Sequence, residues 1–551
     1  MSHTSIESVL AQFFIVGFSG VEAAQELLPL MEDHHFTSFV IFERNVRDGR
    51  SIGSMIRQAR DRGEKLGLPG LIFSADEEGG LISPLGRVSG RLPSAMGLAA
   101  GGSEDRARNA AHSVALGLKD IGLDLVLAPV LDVNDEPANP VIGTRSFGDD
   151  PELVASMGRA VIDGYRSAGV ACCVKHFPGH GSTTEDSHKC LPVVVRSLDE
   201  MSSKHIPPFI EAFTAGAEAV MIAHVAYPLL DSEDARPATL SPEILTDLLR
   251  RKLGFEGAVI SDSMEMMGLS GHTPAPEACV EALNAGVDLF ICVDPALAVE
   301  CARRLRNAYE GGDLKDRVVE RALRNVEGLR ERLRRGASPG SESALSPKAR
   351  QTAASRDTTP TGAGQTPKGV GGEADSARAS ILGECYDASV TLLGSESQAL
   401  KELSRAARRG VLLLPEGLPG YNRTDEAYVR QMLSGFGVAG RWRVVSYPHD
   451  PGDAGISEAI GKVDPSAHVI FCGVSRGPTP RGQRLLFQTL LESRRVAAAG
   501  ALLDPYELVS GFPMDLPRIA TYGYWPECLE ALLHVLFGGR YAGGSLPVQL
   551  G

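Results

Sequence analysis

From the N-terminus to Gly336, short apolar runs alternate with longer stretches whose apolar residues recur at helical spacing, and polar, Gly- or Pro-containing turns separate them. The runs near Phe13–Phe18, Phe39–Phe42, Gly70–Ser74, Leu123–Pro129, Val170–Val174, Ala219–Ala223, Gly257–Ser261 and Asp288–Cys292 read as eight strands. Eight βα units over roughly 300 residues match a TIM (β/α)8-type barrel. An open doubly wound sheet is the competing arrangement. Polar residues placed just after the strands favour the barrel: Asp76, Asp132, Lys175 with His176, His224 and Asp262 would all converge on one mouth.

The pattern breaks at residues 336–380. Between Gly336 and Ser380 the large aliphatic residues are Leu345 and Val370, set among Ser, Pro, Gly, Thr and Ala. Such a composition buries too little apolar surface to offset its ordering entropy, so a flexible linker is expected. From Ile381 a second α/β pattern begins. Its strand-like runs are Ser389–Leu393, Gly410–Leu414, Trp442–Tyr447, His468–Cys472, Gly500–Leu503 and Ile519–Tyr522, with a helix over Glu527–Phe537. The expected organisation is a catalytic barrel over 1–335, the linker over 336–380, and a smaller α/β sandwich over 381–551.

Composition narrows the function classes. The chain has 551 residues, more than one core usually supports, with 43% hydrophobic and 23% charged residues. A formal charge of −14 with no basic face argues against nucleic acid or an anionic membrane as partner. Nine Cys without a C-x-x-C pair read as reduced structural thiols. The start of the chain lacks a basic segment followed by an apolar one, and no apolar run approaches the ~18–20 residues that span a bilayer, so a cytoplasmic location is expected.

The densest chemistry lies in Lys175-His-Phe-Pro-Gly-His-Gly-Ser-Thr-Thr-Glu-Asp-Ser-His188, after the apolar run Gly169-Val-Ala-Cys-Cys-Val174. Its Gly and Pro residues predict a loop at a strand's C-terminal end. Asp186 and His188, two residues apart, can form a proton-transfer dyad in which the carboxylate orients the imidazole. Asp262, in Gly257-Ala-Val-Ile-Ser-Asp-Ser-Met-Glu-Met266, follows an apolar strand directly, where a carboxylate can attack a bound electrophile or merely cap the next helix. His176, His180 and His188 also suggest a metal site, although no cofactor or metal is expected on a Gly-rich loop of this kind.

The segment 175–188 closely resembles the signature of glycoside hydrolase family 3, in its exo-β-N-acetylglucosaminidase branch. Four further segments resemble that family in order: Ser74-Ala-Asp-Glu-Glu-Gly-Gly80, Leu127-Ala-Pro-Val-Leu-Asp-Val-Asn134, Gly143-Thr-Arg-Ser-Phe-Gly148 and Val259-Ile-Ser-Asp-Ser-Met264. The ending Gly538-Gly-Arg-Tyr-Ala-Gly-Gly-Ser-Leu-Pro-Val548 resembles the close of its second domain. The resemblance implies a retaining exo-glycosidase that removes terminal β-linked N-acetylglucosamine, with a small carbohydrate as its partner. It implies Asp262 as nucleophile, His188 as acid/base and Asp186 as its orienting group. Lys175, His176, Asp76 and Arg145 would bind sugar hydroxyls or the N-acetyl carbonyl. In the family, Arg residues often follow the Asp-x-Glu-Gly-Gly segment; this chain runs Leu81-Ile-Ser-Pro-Leu-Gly-Arg87, so Arg87 would substitute from a shifted position. A phosphorylase or β-glucosidase of the same family, and more distantly a His-ligated metallohydrolase, are the alternatives. Limited proteolysis checks the domain reading: first cuts are expected within 336–380, and resistance of that stretch would overturn it.

Overall fold

A computed structural model describes residues 5–22, 25–231, 236–336, 372–393, 409–418, 426–476, 479–493, 495–506, 516–538 and 542–549. The chain divides into two compact units. In the first, eight parallel strands close into a barrel: β1 Phe14–Val16, β2 Ser38–Ile41, β3 Ile72–Ala75, β4 Leu125–Val126, β5 Ala171–Phe177, β6 Ala219–Ile222, β7 Ala258–Ser263 and β8 Leu289–Cys292. β8 pairs back onto β1 through Phe14↔Phe290, Ile15↔Ile291 and Val16↔Cys292, which completes the ring. Each of the eight apolar runs forms its strand, because continuous burial on both faces is what a parallel barrel strand requires.

Local chemistry sets where the outer helices begin. Asp150 and Asp294 cap the helices Pro151–Ser167 and Pro295–Gly311, accepting from the N–H groups of Glu152 and Ala296 at 2.9 Å, with Pro at the first helical position.

The N-terminal floor of the barrel repeats one device. Asp124, just before β4, accepts from Phe73 N–H of β3 at 2.8 Å and from Arg60 at 2.7 Å. Glu218, just before β6, accepts from Cys172 N–H of β5 at 3.0 Å and from Arg166 at 2.8 Å. Asp288, just before β8, accepts from Val259 N–H of β7 at 2.9 Å and from Arg250 at 2.7 Å. Each arginine comes from the helix that precedes the donor strand, namely Gly49–Lys65, Pro151–Ser167 and Glu243–Lys252. Near β2 a hydroxyl takes the carboxylate's place, as Thr37 Oγ1 accepts from the buried Arg330 at 2.6 Å.

The second unit holds a six-stranded mixed sheet: β9 Thr391–Leu393, β10 Gly410–Pro415, β11 Trp442–Tyr447, β12 His468–Gly473, β13 Arg495–Ala501 and β14 Arg518–Ala520. Its order is β11-β10-β12-β13-β14-β9, parallel except for the antiparallel β14–β9 pair. Two segments of the N-terminal half, Pro93–Ser103 and Gly143–Gly148, belong to this unit and not to the expected 1–335 domain. The reason is apolar: Met96 and Ala100 pack into a core with Ala501, Ala520, Tyr522 and Val548. The expected linker 336–380 lies outside the described residues from 337 to 371. Gly372–Ser380 forms the first half of a helix that runs to Ser389, so that part of the linker reading is corrected. Among the described residues, no helix is long and apolar enough to cross a membrane.

Truncating one floor carboxylate should be severe. Asp288→Ala removes the carboxylate that faces Arg250 at 2.7 Å, Arg321 at 3.6 Å and the Val259 N–H at 2.9 Å, and a loss of about 3–5 kcal/mol is expected in chemical denaturation. A loss below about 1 kcal/mol would show that the floor pairs are dispensable.

Candidate active site

At the opposite, C-terminal end of the barrel the strands deliver the polar residues picked out above. Lys175 and His176 lie inside β5 and Asp262 inside β7, not in the loops that follow. Both strands outlast their apolar runs. Lys175 bridges to Val130, and the pairing register shifts between Val174 and Phe177 and between Ile260 and Ser263. These residues are therefore fixed by strand pairing, which positions side chains more firmly than a loop does.

Lys175 is buried, and its ammonium sits 2.6 Å from both Asp76 and Glu78. Two carboxylates flanking one cation leave a net negative cluster. Asp132, fully buried, is the second hub. Its carboxylate accepts from His176 Nδ1 at 2.7 Å and from His180 N–H at 2.6 Å. Burial pushes Asp132 up, but the His176 imidazole beside it, helped by His180, outweighs burial and holds the carboxyl below the usual range. Asp262 obeys the same balance. Burial raises it, while His176, His224, the Ser263 N–H at 2.7 Å and Lys175 together lower it, so it stays an anion. His224, wholly buried, donates from Nε2 to Ser263 O at 3.0 Å and pairs Nδ1 with Thr239 at 2.7 Å; burial holds its imidazole below the ordinary value.

The loop after β5 folds back against the loop after β4. Gly179 takes φ 138°, a conformation that favours glycine. A Cβ at Gly181 would lie 1.8 Å from Val133 O, so no larger residue fits that approach. Asn139 binds His180 O at 2.9 Å, and Asp135 accepts from Ser182 at 2.6 Å and from Arg196 at 3.1 Å. Both ring nitrogens of His180 are engaged, by Thr183 at 2.9 Å and Ser187 at 3.1 Å, so His180 braces its own loop. His176, His180 and His188 thus point to different partners, and among the described residues no group of three His, Cys, Asp or Glu is arranged to hold a metal ion.

The loop ends in the dyad. His188 Nδ1 lies 2.8 Å from Asp186 Oδ1, which also accepts from the His188 N–H at 2.9 Å. Burial works against the Asp186 anion, but these two bonds and the nearby charges of His188 and Lys189 prevail and lower it. The imidazole itself is 63% exposed. Ser187 O accepts from Gly268 N–H at 2.9 Å, which ties the dyad loop to the segment that follows Asp262. Two residues beyond His188 stands Cys190, the exposed one of nine free cysteines, with its Sγ 3.8 Å from Asp186 O.

One expected binder stands apart. Arg87 is 73% exposed on the helix Gly86–Ser89, and its guanidinium faces Glu43 at 3.7 Å; it is not brought to the cluster. Arg91 instead reaches the Asp76–Gly80 segment, donating to Gly80 O at 2.7 Å. Arg145 lies in the turn Gly143–Arg145, which belongs to the second unit. Sequence reasoning did not select Glu78, whose signal was its place beside Asp76. It noted Asp132 and His224 only as mouth positions.

A closed barrel whose C-terminal mouth gathers carboxylates, a lysine and imidazoles defines an enzyme of the (β/α)8 class. The family model for the glycosyl hydrolase family 3 N terminal domain matches residues 5–329. Beta-hexosaminidase A of Pseudoalteromonas piscicida is 28% identical over 565 residues, 95% of this chain and 91% of that protein. The beta-hexosaminidase of Thiobacillus denitrificans is 35% identical over 294 residues, 52% of this chain and 80% of its own length. Among solved structures, a glycoside hydrolase family 3 beta-N-acetylglucosaminidase from Paenibacillus matches with a TM-score of 0.86 at 27% identity, covering 99% of each chain. The chain belongs to glycosyl hydrolase family 3 and is a glycoside hydrolase.

The Gly181 contact generates a test. Gly181→Ala must push the loop off Val133 and displace the dyad, so kcat/KM is expected to fall about a hundredfold, with a melting temperature lowered by a few degrees. Full activity of the variant would mean the loop tolerates the shift.

Proposed function

We propose that the protein is a retaining exo-glycosidase acting on terminal β-linked N-acetylglucosamine, with Asp262 as nucleophile and the Asp186–His188 pair as acid/base. The observation that carries this reading is the junction of the two parts. Asp262 is kept ionised by the His176 and His224 imidazoles, the Ser263 N–H and Lys175, and the segment after it is hydrogen-bonded to the loop that presents His188. The beta-hexosaminidase and beta-N-acetylglucosaminidase names of the similar proteins support the substrate.

In the first step an Asp262 carboxylate oxygen attacks the anomeric carbon, and the bond to the leaving oxygen breaks as imidazolium His188 protonates that oxygen. In the second step neutral His188 takes a proton from water, whose oxygen displaces Asp262 from the same carbon. Two inversions give retention. An imidazole suits this double role because its ordinary pKa of ~6.5 allows both forms near neutrality. Asp186 keeps Nδ1–H fixed, so the proton that moves is on Nε2. Lys175 and His176, with Asp76, hold the sugar hydroxyls, and Glu78 and Asp132 hold Lys175 and His176 in turn.

Asp262→Ala should lower kcat/KM on an aryl N-acetylglucosaminide at least about a thousandfold, and near-wild-type activity would overturn the assignment. His188→Ala should cost roughly a thousandfold on substrates with poor leaving groups and far less on activated aryl glycosides; equal losses on both would remove His188 as the acid. The wild type should strongly prefer aryl N-acetylglucosaminide over aryl glucoside. It should also form no sugar 1-phosphate when phosphate is added.

A further inference from the structure

Between Asp76 and Glu78, the two carboxylates that hold Lys175, lies a third acid that points away from them. Glu77 is wholly buried. One carboxylate oxygen accepts from Ser83 Oγ and the other from Leu85 N–H at 2.8 Å. Its carbonyl accepts from the Tyr165 hydroxyl at 3.1 Å, and its N–H donates to Ala75 O at 2.9 Å. The segment it anchors is the one that returns to the site. Glu78 N–H binds Ile82 O at 3.0 Å, Gly80 N–H binds Leu92 O at 2.8 Å, and Arg91 grips Gly80 O. The charged and titratable groups facing Glu77 are Arg91 from this segment, neighbouring Glu78, and Tyr165 from the helix Pro151–Ser167.

Both oxygens of Glu77 accept hydrogen bonds: a proton on the Leu85 side competes with a fixed N–H, and one on the Ser83 side reverses the hydroxyl's bond and removes its charge assistance. The clamp on residues 83–85 is tighter when Glu77 is an anion, because charge-assisted bonds are the stronger ones. Burial opposes ionisation and pushes the carboxyl up to about 7, against the pull of Ser83, Leu85 and Arg91.

We propose that Glu77 is a positioning residue for sugar binding: by clamping the Ser83–Leu85 segment it holds Asp76 and Glu78 on Lys175, and its charged form tightens the site. The proposal rests on the sugar-binding reading of Asp76 and Lys175 given above. By reciprocity, a bound sugar favours the Glu77 anion. A purely structural anchor would set how stable the barrel is, without making ligand affinity follow its protonation.

The test is inhibition by N-acetylglucosamine of aryl N-acetylglucosaminide hydrolysis, measured from about pH 5.5 to 8.5 in the wild type and in Glu77→Gln, which removes the titration and keeps an acceptor. The wild-type inhibition constant should fall about three- to tenfold more across that range than the variant's, since every other group is shared by the two proteins and cancels. Ser83→Ala removes a donor that favours the anion, so its step should move to higher pH. The same linkage appears in stability: the ordinary value for Glu77 is 4.5, so the wild type should lose melting temperature relative to Glu77→Gln as pH rises from there to about 7, the window in which only the folded state keeps the proton. Parallel inhibition curves for wild type and Glu77→Gln would overturn the proposal. If Glu77→Gln fails to fold, an unmoved step in Ser83→Ala does so. No inhibition of the wild type at any pH would overturn the functional reading itself, and the proposal with it.

Discussion

The barrel's floor depends on buried carboxylates that each join a strand N–H to an arginine of the preceding helix. Asp124, Glu218 and Asp288 occupy equivalent places before alternate strands. Each sets the offset between neighbouring strands and pins a helix to the same point, so one ion pair fixes two layers at once. Hydrophobic burial alone drives the strands together without choosing that offset. With the floor offset fixed, the far ends of β3, β5 and β7 place Asp76, Lys175 and Asp262 around one opening.

Charge at that opening is balanced with little margin. Lys175 faces two carboxylates, and Asp132 faces His176 while accepting from backbone N–H groups. Burial by itself would drive Asp132 and Asp262 toward their neutral forms; in both, neighbouring imidazoles and N–H donors win, and the carboxyls stay ionised. Glu77, one residue from Asp76, shows the other outcome, because its donors and Arg91 are outweighed. The difference between a permanent anion and a titrating one comes from how many cationic or N–H partners each burial site supplies.

Much of this was legible in the chain. All eight barrel strands follow from their apolar runs, and the Asp186–His188 pair follows from a two-residue spacing that a turn can close. What escaped depended on geometry beyond the local pattern. Lys175, His176 and Asp262 look like loop residues because they end an apolar run, whereas pairing with Val130 and the shifted register of β7 carries the strands through them. β13 begins at Arg495 instead of near Gly500, since Val-Ala-Ala-Ala carries little strand signal of its own. Met96 and Ala100 look like any helix of a βα unit; only the packed core reveals that they belong with Tyr522. Arg87 was selected for its type and place in the sequence, and the helix that carries it turns its guanidinium toward Glu43.

Cys190 gives the dyad loop a chemical address. Eight of the nine thiols are buried and closed to reagents, while the ninth stands in solvent two residues from His188. A maleimide dye or a spin label would therefore attach at one place without prior removal of other cysteines, and its signal would report the motion of the segment that carries the Asp186–His188 pair. The same exposure makes Cys190 the thiol that oxidants and alkylating reagents reach first.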